Sequence, residues 1–406
     1  MGHEYAARLT GSGGRLFADP QPGPDETSFQ VDNTSAEYYA SPYYLLHQKQ
    51  LQPVPPPRVD PPRMQLSDVL DPQTIATVLA SGQIAFHAVG DTGAAQTASI
   101  PNEASVADAM ARDVAAGGAS APAFFFHLGD VIYNFGEAEY YYDQFYEPFR
   151  AYDRPIFAVP GNHDGFPQSA SVATLAAFLS NFCAQQPGPS PNAGGLVRST
   201  MNQPGVYFTL DAPFVSIIGL YTNVLEGPGV ISTEGGKYPA SVGDAQLAFL
   251  TAELARLRDD PDRQANRRAV VIVCHHPPVS VDGKHGGATG LSADIDKACD
   301  AAGIWPDAVL SGHAHLYQRF TRTAGNLRIP YVVSGSGGYG LTQPRETYPK
   351  GAVGDFALAA GPYEVYGYLV VSADVTGPPS LTISFRATDG SGDHDSVTVD
   401  LTRHSI

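Results

Sequence analysis

The stretch that most constrains this chain is Ala123-Phe124-Phe125-Phe126-His127-Leu128-Gly129-Asp130-Val131-Ile132-Tyr133. Its first half is short and almost wholly apolar, the pattern of a central strand buried on both faces. Gly129 lets the backbone turn sharply, so that Asp130 emerges at the strand's carboxyl end. In open α/β sheets that edge is where ligands bind. A carboxylate placed there has two oxygens and can bridge two cations. Tyr133, three residues on, can reach one of the same cations.

Four other strand exits carry residues of the same kind. The run 84–89 ends in Gly90-Asp91-Thr92-Gly93, and 155–159 ends in Pro160-Gly161-Asn162-His163-Asp164. The apolar run 269–274 exits into His275-His276-Pro277-Pro278, and 307–310 into Ser311-Gly312-His313-Ala314-His315. Carboxylate, phenolate, amide oxygen and imidazole together suit hard or borderline cations such as Fe, Mn and Zn. No cysteine is among them, which argues against a structural zinc knot. The three cysteines, Cys183, Cys274 and Cys299, are far apart and read as reduced, buried thiols.

Between these exits the sequence predicts helices over 103–116, 138–150, 170–184, 243–258 and 291–302, with strands at 205–210 and 213–220. Strand–helix–strand units with a polar residue at each exit define an α/β domain. Loops at 185–204 and 221–242 are long enough to shape a substrate site. The tail, 316–402, reads as strands. Residues 1–80 read differently. Pro53, Pro55, Pro56, Pro57, Pro61 and Pro62 form an extended, polyproline-like connector. A short helix follows over 71–80. Ahead of the prolines, Tyr38, Tyr39, Tyr43 and Tyr44 either pack on the chain's own domain or serve an interface. The division is an arm, 1–80, and a main domain, 81–406.

A net charge of −17 argues against nucleic acid or an anionic membrane as the main partner. An anionic substrate would therefore need a local cationic centre. No apolar run approaches the roughly 20 residues that span a bilayer. The N-terminus lacks a basic segment followed by an apolar one. The expectation is a cytoplasmic chain as it stands, or an exported one if its N-terminus was trimmed.

The order Gly-Asp-x-Gly, Gly-Asp-x-x-Tyr, Gly-Asn-His-Asp, His-x-Pro and Gly-His-x-His, spread over about residues 84–335, resembles the calcineurin-like metallophosphoesterases. Asp91-Thr92-Gly93 and Tyr133 resemble the purple acid phosphatase branch in particular. The resemblance implies a four-layer α/β/β/α sandwich of two mixed sheets, here behind a Pro-rich N-terminal arm. It implies Fe(III) held by Asp91, Asp130, Tyr133 and His315. It also implies a divalent metal (Fe, Zn or Mn) held by Asp130, Asn162, His275 and His313, with Asp130 bridging. His163 would face the substrate and protonate the leaving oxygen. His285 lies ten residues after His275, where plant relatives carry phosphate-contacting histidines.

The implied reaction is hydrolysis of small phosphate monoesters by in-line attack of a metal-bound hydroxide. The alternatives are a phosphodiesterase or nucleotide pyrophosphohydrolase on the same metals and, more remotely, an inactive metal-binding scaffold. A homo-oligomer formed through the arm is a further expectation. Asp164 reads as a loop cap or as a residue that orients the site from behind. His127 reads as a hydrogen-bonded core imidazole, and 335–338 as a turn near the site.

Overall fold

The computed structural model describes residues 52–406 except 119, 166–171, 197, 223–228, 237 and 239. The tyrosines at 38–44, and self-association through them, lie outside the described residues. The strands in chain order are β1 (Arg63–Gln65), β2 (Gln83–Val89), β3 (Pro122–His127), β4 (Ile156–Ala158), β5 (Phe208–Ala212), β6 (Val215–Leu220), β7 (Ala269–Cys274) and β8 (Ala308–Ser311). The tail adds β9 (Tyr317–Ala324), β10 (Leu327–Ser334), β11 (Ala352–Val353), β12 (Phe356–Tyr363), β13 (Gly367–Asp374), β14 (Ser380–Ala387) and β15 (Asp393–Asp400).

They form two mixed sheets. One has six strands in the order β15-β14-β13-β2-β3-β4, the other nine in the order β1-β5-β6-β7-β8-β10-β9-β12-β11. Side-chain alternation explains the layering. Phe86, Phe124, Phe126 and Phe157 point from the first sheet into a core shared with Phe208, Leu210, Ile217, Val271 and Val273 of the second. Phe86 stacks on Phe124, and Phe126 meets Phe208 across the sheets at 5.9 Å. The opposite faces carry Val89, Phe125, Ile218 and Ile272, which join the core under the outer helices. The result is the expected four-layer α/β/β/α sandwich. Strand β14 lies toward one edge, and only Leu381, Ile383 and Phe385 of its inner face are buried.

Residues 63–80, within the stretch assigned to the arm, contribute to the sandwich. Strand β1 pairs parallel with β5, Arg63 opposite Thr209. Arg63 Nε donates to Glu253 Oε1 at 2.7 Å, tying this edge to the helix Ala245–Arg258. The helix Pro72–Ser81 is capped by Asp71, which accepts from Gln73 N and Thr74 N. The proline run has no regular structure, and its Arg58 donates to the carbonyls of Asn202 and Gln203.

The tyrosine-rich helix expected over 138–150 is not a regular α-helix. It is a 3₁₀ turn, Ala138–Tyr140, followed by a π turn, Tyr142–Tyr146, in which Glu147 N reaches back to Tyr142 O at 2.9 Å. The wider turn faces Gln144 inward, where its amide donates to Tyr133 O and accepts from Tyr133 N, both at 2.9 Å. Two hydrogen bonds to a main chain with no strand partner offset the poorer helical geometry. The helix expected over 170–184 is Ala176–Phe182, with 166–171 outside the described residues. Among the described residues no helix is long and apolar enough to cross a membrane.

Candidate metal centre

Five strand exits converge at one edge of the sandwich. Those after β2, β3 and β4 belong to the six-stranded sheet, and those after β7 and β8 to the nine-stranded sheet. The turns are tight. Asp91, Asp130 and His313 have φ of 59°, 55° and 67°, in the left-handed region that non-glycine residues rarely occupy. Such strain is held where surrounding contacts over-determine it, and functional sites are where it collects. Asp91 N donates to Gly129 O, and His313 N donates to Asp91 Oδ2 at 2.8 Å. At Gly161 a Cβ would stand 2.2 Å from Asp130 Oδ1, so only glycine lets the two loops approach this closely.

Asp91, Tyr133 and His315 form one group. The Tyr133 hydroxyl donates to Asp91 Oδ1 at 3.1 Å and lies 3.4 Å from His315 Nε2, which is itself 3.2 Å from Asp91 Oδ1. Burial, and then the charges of Asp130 and Asp91, push the Tyr133 phenol well above its ordinary value. Only a cation at its oxygen would make it a phenolate near neutral pH.

Asp130, Asn162, His275 and His313 form the other group. His275 Nδ1–H donates to Leu128 O at 2.9 Å, which commits Nε2 to the site. That Nε2 is 3.0 Å from Asn162 Oδ1 and 3.3 Å from Asp130 Oδ2. Asp130 Oδ2 is buried without a hydrogen-bond partner. Ligand atoms of Asp130, His275 and His313 lie within 4.8 Å of one another. Burial works against the Asp130 charge, yet the neighbouring His275 and His163 outweigh it and hold the carboxyl far below its usual range. Burial, and then the surrounding imidazoles, drive His313 well below its ordinary value, so it is neutral and its lone pair is available. Buried acceptors that converge on one point fit a bound cation.

His163 and His285 flank these groups. His163 N donates to Asp130 Oδ1, and its Nδ1–H to Asn134 O at 2.9 Å. Its ring centroid is 4.4 Å from that of Tyr133. The His285 ring lies 4.3 Å from His313 and 5.4 Å from His315, and Asp282 Oδ2 stands 3.0 Å from its Nδ1. All nine residues singled out from the sequence thus lie in one cluster.

Asp164 proves to serve both of the roles considered for it. Its Oδ2 accepts from Gly161 N (2.8 Å) and Val131 N (3.1 Å), and its Oδ1 from Ile132 N (3.0 Å). It thereby caps the loops that carry Asn162 and Asp130. Burial, and then the charge of Asp130, push it up to about 7. His127 Nδ1 accepts from Gly129 N, so its Nε2–H donates to Thr92 Oγ1 at 2.9 Å. Burial pushes this imidazole down to about 3, and the neutral ring ties the Asp91 and Asp130 loops together.

Sequence reasoning missed Tyr339 and Gln144. Tyr339 stacks on Tyr133 with centroids 3.7 Å apart. Its only signal was the glycine cluster around it.

The fold thus gathers donors suited to a metal ion at one edge of two mixed sheets. The profile of the calcineurin-like phosphoesterase family matches residues 84–317, more than half of the chain, and the chain belongs to that family. Among solved structures it is similar to purple acid phosphatase PPD1 from yellow lupin (Lupinus luteus) seeds, with a TM-score of 0.54 and 14% identity. That match covers 80% of this chain and 56% of the lupin chain, so this chain spans little more than half of that relative. It is also similar to GAP50, the anchor in the inner membrane complex of Plasmodium. There the TM-score is 0.50 at 12% identity, over 78% of this chain and 89% of that one. At these identities the likeness is one of fold. No curated protein matches the sequence.

Proposed function

We propose that this protein hydrolyses small phosphate monoesters at a two-metal centre of the purple acid phosphatase type. The observation that carries the reading is the Tyr133 hydroxyl set between Asp91 and His315, beside the Asp130–Asn162–His275–His313 group. In this reading Asp91, Asp130, Tyr133 and His315 hold Fe(III), and Asp130, Asn162, His275 and His313 hold a divalent ion (Fe, Zn or Mn). Two such cations would supply Lewis-acid stabilisation of the phosphoryl oxygens and activate water for in-line attack.

The chain's own residues do the rest. The left-handed turns at Asp91, Asp130 and His313 aim their side chains before substrate arrives, so little reorganisation remains at the moment of reaction. Asn134 O fixes the His163 tautomer, and His163 protonates the leaving oxygen through Nε2. His285, held against Asp282, contacts the phosphoryl group from beside His313. The net charge of −17 makes the centre itself the attractor for an anionic substrate.

The test is turnover of an aryl phosphate monoester and the matching diester, on metal-quantified protein, from about pH 4 to about pH 8. A strong monoester preference with an acidic optimum is expected. A diester preference would overturn the monoesterase reading and make the protein a phosphodiesterase or nucleotide pyrophosphohydrolase. Full metal occupancy with neither activity would leave a metal-binding scaffold.

A further inference from the structure

We infer that Tyr339 is a positioning residue of the centre: its ring fixes the plane of the Tyr133 phenol and keeps water from that phenol's face. The inference rests on the proposal that Tyr133 ligates a metal.

The loop after β10 is fastened to the loop that carries Asp91. Gly337 N donates to Gly90 O, Tyr339 N donates to Asp91 O at 3.0 Å, and Ser99 Oγ donates to Tyr339 O at 2.5 Å. The main chain at 339 is therefore fixed relative to Asp91. From there the Tyr339 ring lies almost parallel to Tyr133, at 10° and a 3.7 Å centroid separation. Its edge contact with His315 is at 5.4 Å and 81°. Tyr339 thus touches two members of one ligand group by its ring and the third by its backbone.

Tyr133 is held at its main chain, its hydroxyl and its ring, and Tyr339 covers one face of that ring. Gln144 holds the Tyr133 main chain at both N and O. His163 packs on Tyr133 from another side, 4.4 Å from its centroid at a tilt of 42° and 6.5 Å from that of Tyr339. The parallel Tyr339 ring blocks a tilt of the phenol toward its own side. Tyr133 is 1% exposed, whereas Tyr339 is only half-buried. The outer ring shields the inner one from solvent. Stacked aromatic pairs are worth more than the area they bury, so the arrangement also holds itself together.

A phenolate bound to Fe(III) absorbs visible light by charge transfer. The energy of that band depends on the ring's orientation and on water at its oxygen. The experiment compares the full chain, Tyr339→Phe and Tyr339→Leu, each loaded with iron and metal-quantified, by visible spectrum and by kcat and KM for an aryl phosphate. Phe keeps the stacked ring and should keep the wild-type band. Leu removes the ring, and either result at this site supports the inference: a band moved to shorter wavelength, or selective loss of the tyrosinate-bound iron. In both cases kcat should fall with little change in KM. An iron-loaded Leu variant with the wild-type band would overturn the inference, even if KM rose. Iron-loaded wild-type protein with no tyrosinate band would instead overturn the ligand role of Tyr133, and this inference with it.

Discussion

At the scale of single residues, the centre separates groups that hold from groups that react. His163 is bound through its backbone N and its Nδ1, and is placed beside Tyr133 rather than within either ligand group. His163→Ala should keep its full metal content while kcat falls by about 10²–10⁴, the usual contribution of a general acid. Metal analysis beside steady-state kinetics checks this, and loss of metal would assign the residue a ligand role. Asp130 belongs to one group and its charge acts on Tyr133 of the other, so Asp130→Ala should lose both metals. Far from the centre, Asp307 and Arg263 form a pair that is 0% and 4% exposed. Burial raises the Asp307 carboxyl, but Arg263 and His404 outweigh it and hold it below its ordinary value. The linkage sign follows. The pair contributes in full above the unfolded carboxyl value, about 3.9, and the contribution is lost as pH falls through the lower folded value. Asp307→Asn leaves a buried, unpaired guanidinium and should cost about 3–5 kcal/mol near neutral pH. Urea denaturation at pH 7 and again near pH 3 should show that cost shrinking with acid.

At the scale of elements, the strand exits were legible and the supports behind them were not. An apolar run followed by a polar donor reads as a buried strand with a ligand at its edge; five such exits in order carried eight of the nine side chains, and the family resemblance pointed to the ninth, His285. Strand β1 left little signal, because it has three residues, one buried side chain (Met64), and a partner far along the chain. The π turn was illegible for a different reason. Its apolar spacing, with Tyr141, Phe145 and Tyr146 buried, matches that of an α-helix, and only the inward pull on Gln144 distinguishes the two. Tyr339 was hidden because its meaning depends on the loop after β10 folding back on Asp91, a contact between segments far apart in sequence. The turns themselves can be tested. Gly161→Ala places a methyl against Asp130 Oδ1 and should abolish metal binding with secondary structure retained. Metal analysis and circular dichroism together report on it, and full metal content would show that the loops have slack.

At the scale of the whole molecule, the folded state alone gathers ligands that an unfolded chain would scatter over more than two hundred positions. Metal binding is therefore coupled to folding. Chelation should lower Tm, and restoring metal should recover it. Each site would contribute about 2.7 kcal/mol when free metal exceeds Kd by about a hundredfold. Differential scanning calorimetry with and without chelator measures this, and an unchanged Tm would mean that the residues gathered here bind no cation tightly. The two sheets bear on the centre in a further way. Asp91, Asp130 and Asn162 project from one sheet, His275 and His313 from the other, and the sheets rest on each other through phenylalanines. Between them, Gly219 leaves room for Val159 and Phe126, and a Cβ there would stand 2.8 Å from Val159. The apolar filling between the sheets therefore acts as a spacer gauge for the chemistry. A methyl added at 219, or one removed from Val159, would change the gap between the two jaws that grip the ions. Ion preference could then drift through changes at positions that never meet metal or substrate.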